Sequence, residues 1–196
     1  MRLSARTTIH GVARDMCAGA VCPRSIRAGS RGAGRLAALS DARRTIAAVS
    51  TSTDVRQALA PNIRSFLTEP VRYATIATIN PDGAPHQIVI WYLLRHDEQR
   101  GDYLVVNSRR GRRWPANLMR DGRANLAVYE AEDAVTIVCE VAETYDGERA
   151  RTDIADMARR YDTPEDAARE IARFRTEDRI TFILRPTKVI VHGSPS

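Results

Sequence analysis

The chain has 196 residues, enough for one good-sized domain with extensions and too few for two full ones. At 43% hydrophobic and 28% charged it has a globular composition, which excludes disorder along its whole length, and no apolar run approaches the roughly 18–20 residues of a membrane-spanning helix. The formal charge of +6 lies almost wholly in residues 1–50, where nine arginines face only Asp15 and Asp41; the other 146 residues sum to −1, so the bulk charge says nothing about the ligand of the folded part.

Residues 1–50 read as a disordered, Arg-rich tail without large apolar residues at any steady period. Gly29, Gly32 and Gly34 lack the preceding strand and following acid of a dinucleotide loop. The tail has the arginine content of a transit peptide but no apolar core for a secretory signal; a start codon assigned too far upstream is the preferred reading. The folded domain is expected over 51–196. Cys17, Cys22 and Cys139 form no CxxC pair, Cys139 reads as a buried inert thiol, and a reducing cytoplasm is the expected compartment. Lys188 is the only lysine among 30 basic residues, a bias that weakens any reading of arginine as specially chosen.

From Asp54 the pattern becomes regular. Asp54 is placed to cap a helix through Val55, Leu59, Ile63 and Phe66, ended by Pro70. Tyr73–Ile79 reads as a strand, Asn80-Pro81-Asp82-Gly83 as a tight turn, and His86–Leu94 as one long apolar strand covered on both faces. A charged loop over His96–Gly101 leads to a strand at Tyr103–Val106. Asn107–Arg113 then reads as a basic loop opening a helix over Trp114–Arg120, with Pro115 in its first turn. Strands are expected at Ala124–Tyr129 and Ala134–Thr144, and helices at Glu148–Tyr161 and Thr163–Phe174, the second capped by Thr163 with Asp166 completing the box. Arg179–Leu184 and Lys188–Val191 close the chain as two strands hinged at Pro186. This order predicts an α+β, mainly β fold: a barrel of short antiparallel strands with helical insertions.

The densest chemical signal is Asn107-Ser108-Arg109-Arg110-Gly111-Arg112-Arg113-Trp114-Pro115-Ala116-Asn117. Free amides, a helix dipole and guanidinium forks converge there and suit a phosphate; a solvated basic loop is the equal alternative. Packing is the leading reading for Trp91-Tyr92, with an aromatic wall second. His86 beside a turn reads first as structural, and His96 and His192 have no partner. Glu130, Glu132 and Asp133 lack metal-site spacing, and no nucleophile elbow, phosphate-binding loop of the Walker type or HExxH motif is present.

Taken in order, Ala74–His86, Trp91-Tyr92 and Arg112-Arg113, Asn117-Leu118 and Arg120-Asp121-Gly122-Arg123 resemble the pyridoxamine 5'-phosphate oxidase-like superfamily. Within it they are most similar to the actinobacterial flavin/deazaflavin oxidoreductases that use coenzyme F420. The resemblance spans about Asp54 to Gly193 and implies an FMN-binding-type split β-barrel, assembled as a homodimer with cofactor sites across the interface. Carried over by position, it implies a phosphate site at Asn107, Ser108, Arg109, Arg112 and Arg113, with Asn117 fixing the helix start and His86, Ile88 and Ile90 along the ring system. Many relatives have lysine where Trp114 stands; Arg110 or Arg113 would replace that cation, or Trp114 would stack on cofactor or partner chain. The implied activity is hydride transfer from reduced coenzyme F420 to a small organic substrate, with no obligatory catalytic side chain and a proton from water or a residue such as Tyr92. FMN, in an oxidase or flavin reductase, is the alternative cofactor, and a non-catalytic cofactor-binding protein the alternative class. Neither a membrane nor a nucleic acid is an expected partner.

Overall fold

A computed structural model describes residues 59–195. The expectations for residues 1–50, and for Asp54 and Val55 in the first helix, lie outside the described residues. The first described helix, α1 (Pro61–Thr68), begins later than its apolar spacing predicts. Pro61 takes its first position, where the fixed φ suits a helix and the missing N–H costs nothing. Leu59 precedes it in non-helical chain, its N–H donating to Asp102 Oδ2 at 2.6 Å. Asp102 is buried and also meets Arg64 and, at 3.0 Å, His96 Nδ1. A buried carboxylate with three partners is tied down, which fixes the entry of α1.

Strands β1 (Ala74–Ile79) and β2 (Pro85–Ile90) form the expected hairpin. Gly83 takes φ +84° in the turn, and Asp82 Oδ1 accepts from the Ala84 N–H at 3.0 Å. The single strand expected over His86–Leu94 is instead two. β2 stops at Ile90, and β3 (Leu93–Asp97) takes up a different place in the sheet. The reason lies in the two residues between them. Trp91 stacks on Tyr161 with ring centres 5.4 Å apart, while the Tyr92 hydroxyl donates to Leu67 O at 2.6 Å from a fully buried ring. The side chains are pulled into separate clusters, so the strand cannot run straight through. Nor is β2 covered on both faces: Ile88 is 37% and Val89 59% exposed in the single chain.

β4 (Gly101–Arg109) is longer than expected and takes in Asn107, Ser108 and Arg109, which were read as loop. Helix α2 (Arg113–Arg120), β5 (Arg123–Glu130), β6 (Asp133–Tyr145), α3 (Gly147–Tyr161) and α4 (Pro164–Phe174) fall close to their predicted ranges. Thr163 Oγ1 accepts from the Asp166 N–H at 3.3 Å, as the capping pattern predicts. The last two expected strands are one, β7 (Arg179–His192). Pro186 stands opposite Cys139, and the register shifts there, so a bulge absorbs the missing donor without ending the strand.

The antiparallel sheet runs β2-β1-β5-β6-β7-β4-β3. Its edge strands β2 and β3 are neighbours in sequence, two residues apart, so the sheet curls until its edges approach and forms a barrel split between them. Ile76, Leu126, Ile137 and Phe182 point inward, joined by Leu118 and Trp114 from α2. A second cluster, with Val105, Ile183, Ile154, Met157 and Phe174, seats α3 and α4 on the outside of β4 and β7. The outer row of the other wall carries Val89, Tyr129 and Ile190, all exposed, and the half-buried Lys188. No helix among the described residues is long and apolar enough to cross a membrane.

Asp162 closes α3 with a buried Oδ2 that has no hydrogen-bond partner among the described residues. Loss of solvation, with Glu170 and Asp166 nearby, raises its carboxyl above the ordinary value. A raised folded-state value favours the protonated form in the folded chain, so this group's stability contribution is lost as the pH rises through that value. Asp162→Asn should stabilise the protein by about 0.5 kcal/mol near neutral pH, the size expected for a partly solvated group. The gain should shrink as the pH falls into the carboxylate range, which urea melts across that window will read.

Candidate functional site

Strand alternation sorts the end of β4 into two faces. Leu104 and Val106 face the barrel core, and Ser108, in step with them, is 1% exposed. Val105 faces α3 and α4, and Asn107 and Arg109 share that side. Asn107 is locked: its Nδ2 donates to Ala150 O at 2.9 Å and Thr181 Oγ1 at 2.8 Å, and its Oδ1 accepts from Arg179 Nε at 2.8 Å. The Ser108 hydroxyl bonds to Arg109 O at 3.1 Å. These two side chains brace the strand end from within.

The chain then reverses into α2 through Gly111, whose φ of +83° disfavours a side chain. Arg110 is engaged on the near side, its N–H donating to Asp178 O at 2.9 Å and its guanidinium pairing with Asp146 and Asp178. It is not a spare cation. Arg109, Arg112 and Arg113 differ: all three are exposed, and none has an ion-pair partner among the described residues. Arg112 occupies the N-cap position without a side-chain cap, so no side chain of its own satisfies the first amides of α2. An uncapped helix start and three exposed arginines without ion-pair partners among the described residues thus adjoin where β4 passes into α2.

Trp114 is 2% exposed and packs against Phe182, with ring centres 6.0 Å apart, as part of the barrel core. Its burial anchors the first turn of α2. Asn117, three residues on, donates to Thr78 Oγ1 at 3.1 Å and Asn80 Oδ1 at 3.0 Å, and Arg120 reaches Ile79 O. α2 is therefore docked on the β1–β2 turn, where β2 begins. His86 stands opposite Thr78, Ile88 opposite Ile76 and Ile90 opposite Ala74, so these three form one inward row at the open edge of the barrel. The helix joins the basic junction to this row.

Beside the exposed face of α2 is an open depression of about 440 Å³ with an apolar floor of Pro115, Ala116, Met119 and Ile180 and a rim of Arg110 and Arg120. Met119 and Arg179 belong to this region and were not singled out from sequence. Met119 shares a helix face with Pro115 and Ala116, a spacing that could have marked it. Tyr92, weighed as a proton source, is buried and hydrogen-bonded, and desolvation pushes its hydroxyl well above the ordinary value. Burial raises the Cys139 thiol likewise, which matches its reading as inert.

Comparisons with known proteins agree with this architecture. A family model for pyridoxamine 5'-phosphate oxidase matches residues 59–182. No curated protein matches the chain. Among solved structures, a conserved hypothetical protein from Mycobacterium tuberculosis is similar over 71% of this chain and 88% of its own, at 16% identity and a TM-score of 0.55. An F420 reductase aligns over 64% of this chain and 94% of its own, at 19% identity and a TM-score of 0.49. A heme storage protein from Vibrio cholerae aligns over 70% and 97%, again at 19% identity and 0.49. With the family match covering most of the described barrel, from Leu59 to Phe182, the chain belongs to the pyridoxamine 5'-phosphate oxidase family.

Proposed function

We propose that this protein is an oxidoreductase that binds coenzyme F420 as a homodimer and passes a hydride from the reduced deazaflavin to a small organic acceptor. The observation that carries the proposal is the uncapped start of α2 beside Arg109, Arg112 and Arg113, exposed and without ion-pair partners among the described residues. Such a junction fits a phosphate, because charge-assisted bonds are about twice as strong as neutral ones and the helix start adds free donors. The resemblance of Ala74–Arg123 to the F420-dependent enzymes supports the deazaflavin over FMN.

The chain's own residues bind, orient and shield. Arg109, Arg112 and Arg113 hold the phosphate, with Asn107 and Ser108 bracing the strand beneath them and Asn117 docking the helix. Trp114 acts from the core by fixing the first turn. His86, Ile88 and Ile90 form the wall for the ring system, and the partly exposed Ile88 keeps water from one side of it. The cofactor supplies the hydride chemistry when bound. With Tyr92 sealed in the core, the matching proton comes from water through the open edge of the barrel.

The uncovered sheet face supports the dimer. Tyr73, Val89, Tyr129 and Ile190 expose between 46% and 65% of their surface, and exposed apolar groups on one wall mark an interaction site. A second copy seated there covers β2 and completes the ring wall.

Titration of the purified protein should show micromolar binding of oxidised coenzyme F420 and weaker binding of FMN; the reverse order moves the protein to the flavin oxidases, and binding without turnover makes it a carrier. Arg112→Ala should weaken cofactor binding by about 1.5–3 kcal/mol, roughly ten- to a hundredfold, and a loss below a few-fold speaks against the assignment. The double variant Val89→Glu, Tyr129→Glu should run as a monomer in light scattering and lose cofactor affinity with it. A dimer that survives both charges would place the interface elsewhere.

A further inference from the structure

Arg109 and Arg179 are direct partners in the register of β4 and β7. Side chains so opposed stand on one face of the sheet, and like charges there repel. The two arginines are unequal. Arg109 is exposed, whereas Arg179 is only 7% exposed. The buried guanidinium donates through Nε to Asn107 Oδ1 at 2.8 Å and pairs with Glu177 at 2.6 Å, with its central carbon 4.5 Å from the Phe174 ring centre. Glu177 is shared, since Arg173 also lies 4.0 Å from it. Burial, with Arg112 and Arg173 close by, lowers the Arg179 proton affinity even with Glu177 beside it. Arg173 has its own closer partner in Glu170, so Glu177 answers mainly Arg179, and the positive excess of Arg109 and Arg112 lies at the end of β4.

We propose that Arg179 is a positioning residue for the phosphate site: it holds Asn107 and the end of β4 in place, and its charge adds to that of Arg109 and Arg112 at a bound phosphate ester. Glu177 sets how much of that charge the ligand feels. The inference rests on the reading that this junction holds the cofactor's phosphate. A purely structural ion pair would hold the strand equally well for any ligand. A charge acting on the phosphate discriminates between ligands with and without one.

The test uses the full-length protein at low salt, where charges act over a Debye length of about 30 Å. Its probes are oxidised coenzyme F420, FMN and their phosphate-free counterparts, the ribityl deazaflavin and riboflavin. Glu177→Gln should raise affinity for the phosphorylated pair by about threefold or more, because it uncovers a nearby positive charge. Affinity for the phosphate-free pair should stay the same. Arg179→Met should lower affinity for the phosphorylated ligands about tenfold, and Arg179→Lys should recover part of the loss. If Glu177→Gln leaves the phosphorylated ligands unchanged, or weakens all four together, Arg179 is structural and the inference fails while the phosphate site stands. If the unaltered protein binds neither phosphorylated ligand, the reading of the site itself falls, and the inference with it. Should Arg179→Met not fold, Glu177→Gln still decides.

Discussion

The strands at the two edges of this sheet, β2 and β3, are joined by only Trp91 and Tyr92, and two residues cannot span the width of seven strands. The sheet has to curl until its edges approach, and most of the architecture follows from that closure. Both linking side chains are anchored far from one another in sequence, Trp91 on Tyr161 and Tyr92 under Leu67. The Tyr161 hydroxyl adds bonds to Arg72 O at 3.0 Å and to the Tyr92 backbone. The end of α3 thus clasps the junction, and the helices on the outside of β4 and β7 are part of what shapes the barrel.

That closure decides what surrounds the basic junction. β4 and β7 run side by side, so Asn107 meets Thr181 and Arg179 within one buried network. Trp114 turns into the core from the same helix whose start carries the free arginines. A buried aromatic residue and an exposed cation side by side in sequence give α2 both its anchor and its charged face. Among the described arginines most are spent on carboxylates, as Arg95 is on Asp153 and Asp156. Arg109, Arg112 and Arg113, among the described arginines without a carboxylate, are informative for their grouping where β4 passes into α2, although the chain's arginine bias robbed them of significance in the sequence.

Strands and helices were legible where a local signal was strong. Thr163-Pro164 with Asp166, and Asn80 to Gly83, announced a helix start and a hairpin and formed both. Breaks caused by distant partners were not legible. Nothing within His86–Leu94 says that Tyr161 and Leu67 will divide it, and nothing near Pro186 says that a bulge beside it, opposite β6, will keep β7 whole. The start of α1 shows a nearer competition, in which Pro61 outweighed the apolar spacing around Leu59. At the candidate site the sequence singled out one segment but could not sort it. Burial divides Asn107, Ser108, Trp114 and Asn117 from Arg109, Arg112 and Arg113, and burial comes from strands far along the chain. Arg179 was invisible because its meaning depends wholly on the partner strand.

The lone lysine has a practical consequence. Lys188 stands on the outer row of β7, opposite Val138 and two residues from the exposed Ile190. Apart from the chain's α-amino group, an amine-directed label therefore has one target, the Lys188 side chain, on the wall that carries Tyr129 and Val89. Most proteins of this size would spread such a dye over many sites. Here the scarcity of lysine turns a compositional bias into a single addressed reporter, placed on the sheet face whose covering most needs to be watched.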